Sequence, residues 1–86
     1  MRVDLALKRL LLVKSRSEAK EACDVGAVFV NGRPVKASAE VNAGDLVRID
    51  FAQRTLEVEV LGDIGRNVSR QQARELVRVV RDEPAE

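Results

Sequence analysis

Residues 15–36, SRSEAKEACDVGAVFVNGRPVK, carry the signals for a helix start, a helix end and a tight hairpin within one short stretch. The Ser15 hydroxyl can accept a hydrogen bond from the Glu18 amide while the Glu18 side chain reaches back to Ser15, which is the capping-box pattern of a helix start. The predicted helix runs from about Arg16 to Val25. Gly26 follows it, where a residue in the left-handed conformation commonly ends a helix.

The dipeptide Asn31-Gly32 separates the runs Ala27–Val30 and Arg33–Lys36. Both central residues of a type I′ turn need positive φ, and Asn-Gly is the pair that most favours such a turn. We therefore expect a two-stranded hairpin whose turn consists of Asn31 and Gly32.

The elements on either side of this stretch complete the fold. Apolar residues recur at three- and four-residue spacing over Val3–Leu12, which predicts a helix with one buried face. Strict alternation over Leu46–Phe51 and over Thr55–Val60 predicts two strands. The element order indicates an α+β domain with two N-terminal helices packed on a short, twisted antiparallel sheet, plus a C-terminal helix.

The C-terminal helix is predicted to begin after Ser69, which forms a second capping box with Gln72, and to end near Asp82. Its apolar stripe, expected to dock on the sheet, consists of Ala73, Leu76, Val77 and Val80. Arginines recur beside the stripe at positions Arg70, Arg74, Arg78 and Arg81. This row is either a solvated face or a second contact to RNA or tRNA. We expect residues 1–61 to form the main domain and residues 62–86 a linker and helix packed on it.

The composition excludes several classes of protein. The 86 residues suffice for one small domain, and 45% hydrophobic with 34% charged residues is typical of a folded soluble chain. Apolar runs such as Leu10–Val13 are far too short to cross a bilayer, so we expect a cytoplasmic protein. Without histidine, and with Cys23 as the single cysteine, the chain offers no zinc set and no Ser-His-Asp or Cys-His triad. We predict a protein that is not an enzyme and has no metal or cofactor.

The charge is unevenly distributed along the chain. Residues 1–36 contain eight basic and four acidic side chains, whereas residues 37–86 contain seven basic and ten acidic ones. This asymmetry indicates a basic face for a polyanion, although chance clustering on a solvated surface produces the same pattern.

Arg16 carries the more specific signal. It would be the first residue of the second helix, where the macrodipole disfavours a cation by about 0.3–1 kcal/mol. A phosphate bound at this helix end would explain the position, because the free amides of Arg16, Ser17 and Glu18 and the flanking cations would all face it. The alternative is an arginine that is merely solvated at a helix end.

Several fixed spacings within residues 1–50 together resemble the RNA-binding domain named after small-subunit ribosomal protein S-four. The matching residues are Arg2-Val3-Asp4, Leu7, Ser15-Arg16-Ser17-Glu18-Ala19-Lys20, Gly26, Val28-Phe29-Val30-Asn31-Gly32, Val35-Lys36 and Gly44-Asp45. The resemblance implies two helices on a small sheet, with the first turns of both helices and the hairpin holding structured RNA by its phosphates. It also implies that Asp4 holds a neighbouring arginine in place. The RNA-binding residues that it implies are Arg2, Lys8, Lys14, Ser15, Arg16, Ser17, Lys20, Asn31, Gly32 and Arg33.

Among S-four-type proteins, the short chain is similar to the RqcP group of bacterial ribosome quality-control factors. That similarity implies binding to obstructed large ribosomal subunits, with ribosomal RNA, peptidyl-tRNA and RqcH as partners while RqcH extends the stalled chain with alanine. It also implies a monomer off the ribosome. The alternatives are a small heat-shock-type rescue protein of the large subunit, a generic rRNA- or tRNA-binding module, and a protein whose basic face and exposed Leu5 contact an acidic protein partner.

Two phenylalanines are the only aromatic residues, so recognition by base stacking has little support in the sequence. Phe51 is expected in the core. Phe29 alternates with Val28 and Val30, so it either covers the second face of the sheet or contacts RNA.

Overall fold

The computed structural model describes residues 1–84 of the protein. Its elements are α1 (Val3–Arg9), α2 (Arg16–Asp24), β1 (Val28–Val30), β2 (Arg33–Pro34), β3 (Leu46–Asp50), β4 (Arg54–Val60), α3 (Arg70–Glu75) and β5 (Val77–Pro84). The strands form one antiparallel sheet of five in the order β2-β1-β3-β4-β5. The predicted α+β class is confirmed. Ala85 and Glu86, the last two residues of the predicted segment 62–86, lie outside the described residues.

The core lies between the two N-terminal helices and one face of the sheet. Its largest fully buried side chains are Leu7, Ile49, Val3, Val28, Val58 and Val60. The alternating residues predicted to face inward from β4 are buried, because that strand lies inside the sheet with helices on one side only. Helix α1 is shorter than predicted and ends at Arg9. The chain then passes through Leu11, whose φ is +60°.

The local signals of residues 15–36 have the expected outcome. Ser15 accepts a hydrogen bond from the Glu18 amide over 3.1 Å, and Gly26 has a φ of +75° after the end of α2. Asn31 and Gly32 both have positive φ, 52° and 84°, as a type I′ turn requires. One detail differs, because the Glu18 carboxylate accepts from the Lys14 amide over 3.4 Å and makes no recorded bond to Ser15.

The prediction of a C-terminal helix reaching Asp82 is wrong beyond residue 75. The capping box of Ser69 and Gln72 is present, but α3 ends at Glu75, and residues 77–84 form a strand paired with β4. Without β5, the strand β4 would expose a row of unpaired backbone groups, and the valine-rich segment that follows α3 pairs with that edge. A β-bulge opposite Glu57 and Val58 leaves Val80 unpaired.

The change from helix to strand separates the predicted arginine row. Arg70 and Arg74 lie exposed on α3, whereas Arg78 donates from β5 to the Glu59 carboxylate over 2.6 Å. The predicted apolar stripe is separated as well, since Val80 is 46% exposed. Residues 77–84 share one sheet with the preceding strands, and the division of the chain at residue 61 stays a prediction.

The two phenylalanines lie on different sides of the sheet. Phe29 alternates with the buried Val28 and faces away from the core, with the Arg48 guanidinium carbon 3.9 Å from the centre of its ring. Phe51 packs against the core while part of its ring stays exposed, with Arg54 at 5.2 Å.

No helix among residues 1–84 is long and apolar enough to span a membrane.

Candidate nucleic-acid interface

A buried carboxylate joins the two arginines that the sequence singles out. Nε and Nη2 of Arg2 donate to Oδ1 and Oδ2 of Asp4 over 3.2 Å each, and Nε of Arg16 donates to Oδ2 over 3.2 Å. The Asp4 side chain is 4% exposed, whereas both arginine side chains are 49% exposed. We call these three residues the Asp4 cluster. The carboxylate thus holds one side of each guanidinium group, while both arginine side chains stay half-exposed.

The ionised form of Asp4 is favoured by its partners. Burial alone would raise the pKa of this carboxyl group, but the hydrogen bonds from Arg16, Arg2 and the Leu5 amide, with the charge of Arg16, outweigh burial and lower the pKa below its ordinary value. The Leu5 amide donates to Oδ1 over 2.8 Å. Asp4 therefore stays ionised at neutral pH and keeps both arginines in place.

A strap of residues 37–41 fixes the start of α1, where two members of the cluster lie. The Val3 amide donates to the Ala39 carbonyl over 2.8 Å, and the Asp4 amide donates to the Ala37 carbonyl over 3.2 Å. Arg2 also forms an isolated β-bridge with Glu40. The backbone positions of Arg2 and Asp4 are thus set by residues far away in the sequence.

A shallow depression of about 430 Å³ adjoins the cluster. Its cationic lining consists of Arg2, Lys20 and Lys36, and Asp24 is the acidic residue among them. Lys36 was absent from the site predicted from the sequence. The sequence shows that Lys36 belongs to the basic N-terminal part of the chain. It does not show that Lys36 lies near Lys20, because that depends on the path of the chain after β2.

The N-terminal end of α2 differs in part from the expected phosphate site. The Glu18 amide, which the phosphate interpretation counts as free, is instead bonded to the Ser15 hydroxyl, as the predicted cap requires. The Arg16 and Ser17 amides remain in the first turn, where the helix itself supplies no acceptor. Lys14 is exposed directly before this end.

The hairpin tip is tied to the turn before β3. The Asn31 side-chain amide donates to Asp45 over 3.1 Å, and its oxygen accepts from the Leu46 amide over 2.9 Å. Asn31 therefore shapes the tip, where Asn31, Gly32 and Arg33 are all exposed. Within residues 1–84, no recorded hydrogen bond or ion pair joins Arg33 or Lys8 to the Asp4 cluster.

Cys23 lies below this surface and is buried. Burial raises the pKa of its thiol, and the negative charges of Asp4 and Asp24 raise it further. The thiol is therefore a poor nucleophile and packs as a small apolar side chain. Residues 1–84 contain no cluster of three or more histidine, cysteine or acidic side chains placed to hold a metal ion.

Comparison with known proteins assigns the family. The model of the S4 domain matches residues 1–47. The chain belongs to the S4 domain family. The matched range contains the Asp4 cluster, α2 and the hairpin, and therefore every residue of the predicted RNA-binding set.

The S4 domain lies within a longer similarity to curated bacterial proteins. A protein of Halalkalibacterium halodurans is 38% identical over 98% of this chain and 94% of its own length, and one of Bacillus subtilis is 32% identical over 96% and 95%. A Helicobacter pylori protein is 43% identical over 71% of this chain and 73% of its own. All three are named RQC P-site tRNA stabilizing factor, and the chain belongs to their family.

A solved structure shares the fold. Heat Shock Protein 15 of Vibrio cholerae, described as trimeric, superposes with a TM-score of 0.82 over 93% of this chain and 81% of that chain. At 23% identity, this likeness supports the S4-type architecture alone.

Proposed function

We propose that this S4-domain protein binds structured RNA on obstructed large ribosomal subunits, contacting ribosomal RNA and peptidyl-tRNA, and so acts in bacterial ribosome quality control. The observation that carries the proposal is the Asp4 cluster, in which a buried carboxylate holds two half-exposed guanidinium groups on one surface. Arginines fixed in this way lose little conformational freedom on meeting phosphate, so their charge-assisted hydrogen bonds contribute more to affinity.

The name of the relatives, RQC P-site tRNA stabilizing factor, supports a ribosomal RNA or tRNA as the bound molecule. A factor that stabilises a tRNA in the P site must contact that tRNA or the RNA around it, and similarity over nearly the whole chain favours the same task here. The resemblance to RqcP adds RqcH, which extends the stalled chain with alanine, as a cooperating factor. A ribosomal partner also implies a cytoplasmic location.

Within the proposed RNA face the residues have different tasks. Arg2 and Arg16 would grip phosphates directly, and Lys20 with Lys36 would add charge at the adjoining depression. Lys8 on α1 and Ser17 on α2 would flank these groups, as would Lys14 and Ser15 just before α2. Gly32 and Arg33 would act from the hairpin tip. Asn31 would act indirectly, since both ends of its side-chain amide are already bonded.

Replacing Arg16 by glutamine tests the proposal. The sequence alone favours glutamate as the substitution, because an acid suits a helix start, but a glutamate at this position would face the buried Asp4 carboxylate and disturb the fold. Arg16→Gln removes the charge and keeps a hydrogen-bond donor. We expect its affinity for large subunits carrying peptidyl-tRNA to fall about tenfold, measured by cosedimentation.

Arg78→Gln is the matched control, because it removes the same charge from a residue already paired with Glu59. It should bind like the wild type. Equal affinities of Arg16→Gln and wild type, with both proteins folded by circular dichroism, would contradict the proposal. Binding that survives nuclease treatment of the subunits would instead indicate a protein partner.

A further inference from the structure

Leu11 combines a solvent-exposed apolar side chain with an unfavourable backbone conformation. Its φ of +60° lies in the left-handed region, which costs a residue with a side chain about 1–2 kcal/mol. The side chain gains little burial in return, since it is 55% exposed. The end of α1 imposes this conformation, because the Leu11 amide donates to the Lys8 carbonyl and the Leu12 amide donates to the Leu7 carbonyl, over 3.0 Å each.

A concave surface of about 590 Å³ surrounds this side chain, between the α1–α2 connection and the opposite strands; we call it the Leu11 groove. Leu11, Leu12 and Phe51 line it with apolar surface, and Lys14, Arg54 and Arg70 line it with positive charge. A smaller recess of about 310 Å³ shares Leu11, Leu12 and Arg70 with the groove and adds Arg74 of α3.

The charges of this region are mostly uncompensated. Lys14, Arg70 and Arg74 make no ion pair with a carboxylate within residues 1–84, and Arg54 reaches Asp82 only at 3.6 Å. Glu18 is the one acidic residue in the lining of the groove, and its carboxylate already accepts a hydrogen bond from the Lys14 amide. The groove therefore suits an anionic ligand that also carries apolar surface.

We propose that the Leu11 groove binds an unpaired segment of RNA, with bases against the apolar side chains and phosphates against Arg70 and Arg74. The Arg54 guanidinium lies over the Phe51 ring, 5.2 Å from its centre, and a base can stack on the plane of this guanidinium. Lys14 lines the groove and directly precedes Ser15, the N-cap of α2, so the groove continues the proposed RNA face. This continuity favours RNA over an acidic protein, and the inference rests on the proposed function.

The test uses a labelled RNA hairpin with and without a short unpaired 3′ extension, and measures affinity by fluorescence anisotropy. Wild type should bind the extended RNA at least about fivefold more tightly, since each stacked base contributes about 1–3 kcal/mol. Leu11→Gly removes the side chain and relieves the backbone, so it should fold normally and lose most of this gain. The double variant Arg70→Gln with Arg74→Gln should lose it as well.

Two further variants separate this inference from the proposed function. Arg16→Gln should weaken binding of both RNAs by the same factor, and Arg78→Gln should bind both like the wild type. If the extension adds no affinity, or if Leu11→Gly retains the gain, the groove proposal is overturned while the Arg16 comparison still reports on the Asp4 cluster. Failure of wild type to bind either RNA would overturn the groove proposal, whereas cosedimentation of Arg16→Gln with large subunits tests the proposed function separately.

Discussion

At the residue scale, Asp4 determines how the basic surface is presented. A carboxylate that is 4% exposed would be costly without partners, and four donors, two from Arg2 and one each from Arg16 and Leu5, offset that cost. Arg2 is bonded through Nε and Nη2 and Arg16 through Nε, so each guanidinium group has further N–H donors that make no bond to Asp4. The two positive charges are brought close together because one negative charge lies between and beneath them.

Asp4→Asn tests this arrangement. An amide in place of the carboxylate can still accept hydrogen bonds, but it loses the charge that holds the guanidinium groups, so we expect the free energy of unfolding to fall by about 1–3 kcal/mol. RNA affinity should fall as well, although no RNA-contacting charge is removed. Urea unfolding and cosedimentation with large subunits measure the two effects.

The same variant should show a characteristic pH dependence. The pKa of Asp4 is lowered below its ordinary value of 3.8 in the folded protein, so the unfolded chain takes up the proton first as the solution becomes acidic. The stability that Asp4 contributes is complete above the unfolded pKa and is lost as the pH falls through the folded pKa. The difference in unfolding free energy between wild type and Asp4→Asn should therefore shrink in acid. An unchanged difference would contradict the role given to the Asp4 carboxylate in the Asp4 cluster.

At the element scale, what the sequence predicts depends on how local the signal is. The turn at Asn31-Gly32, the cap at Ser15 and the end of α2 at Gly26 each follow from the conformational needs of adjacent residues, and the structure contains all three. Strand β5 has no such local signature, because its valines and arginines also fit a helical spacing. Its strand conformation depends on the open edge of β4, which lies elsewhere in the sequence.

The valines of β5 distinguish the strand from the predicted helix. On a helix, Val77 and Val80 would share one buried stripe, whereas in the structure Val77 pairs with Val60 beside the core and Val80 occupies an exposed bulge. Val77→Lys should therefore lower the free energy of unfolding by about 2 kcal/mol, and Val80→Lys by no more than about 0.5 kcal/mol. Urea denaturation measures both, and equal losses would favour the helix.

As with the secondary structure, only the local features of the candidate site could be predicted from the sequence. The position of Arg16 at a helix start and the basic bias of residues 1–36 are visible in the sequence, and the S4-type spacing implies that Asp4 holds an arginine. That Asp4 holds two arginines, and that Lys36 joins Lys20, depends on tertiary packing. The groove around Leu11 was not predictable, because α3 and β4 contribute to it from distant parts of the chain.

At the scale of the whole molecule, the two sides differ in how far their positive charges are paired with negative ones. The face of the sheet turned away from the helices pairs its charges internally, as in Arg78 with Glu59 and Arg48 with Asp50. The helical side instead has the Asp4 cluster, Lys20 and Lys36, with Asp24 as the nearby acid. A net charge of +1 for the chain therefore conceals a molecule with one basic side.

Binding to large subunits should consequently depend on salt. If four to six phosphates are contacted, the logarithm of the binding constant should fall against the logarithm of salt concentration with a slope of about −3 to −5. Arg16→Gln should make the slope shallower by about one, and Arg78→Gln should leave it unchanged. Filter binding or cosedimentation across a salt series gives the slope, and a flat response would point to contacts with protein.

The strap of residues 37–41 makes the RNA face a product of the whole fold. The hydrogen bonds of Ala37 and Ala39 to the start of α1 close a long loop, which costs conformational entropy. Folding must offset this cost before Arg2, Asp4 and Arg16 come into contact. An unfolded or partly folded chain would present the same cations as separate charges and bind RNA only nonspecifically. By mass action, a ligand that recognises the assembled cluster also shifts the folding equilibrium toward the native state, so an occupied ribosome would protect this small domain from unfolding and proteolysis.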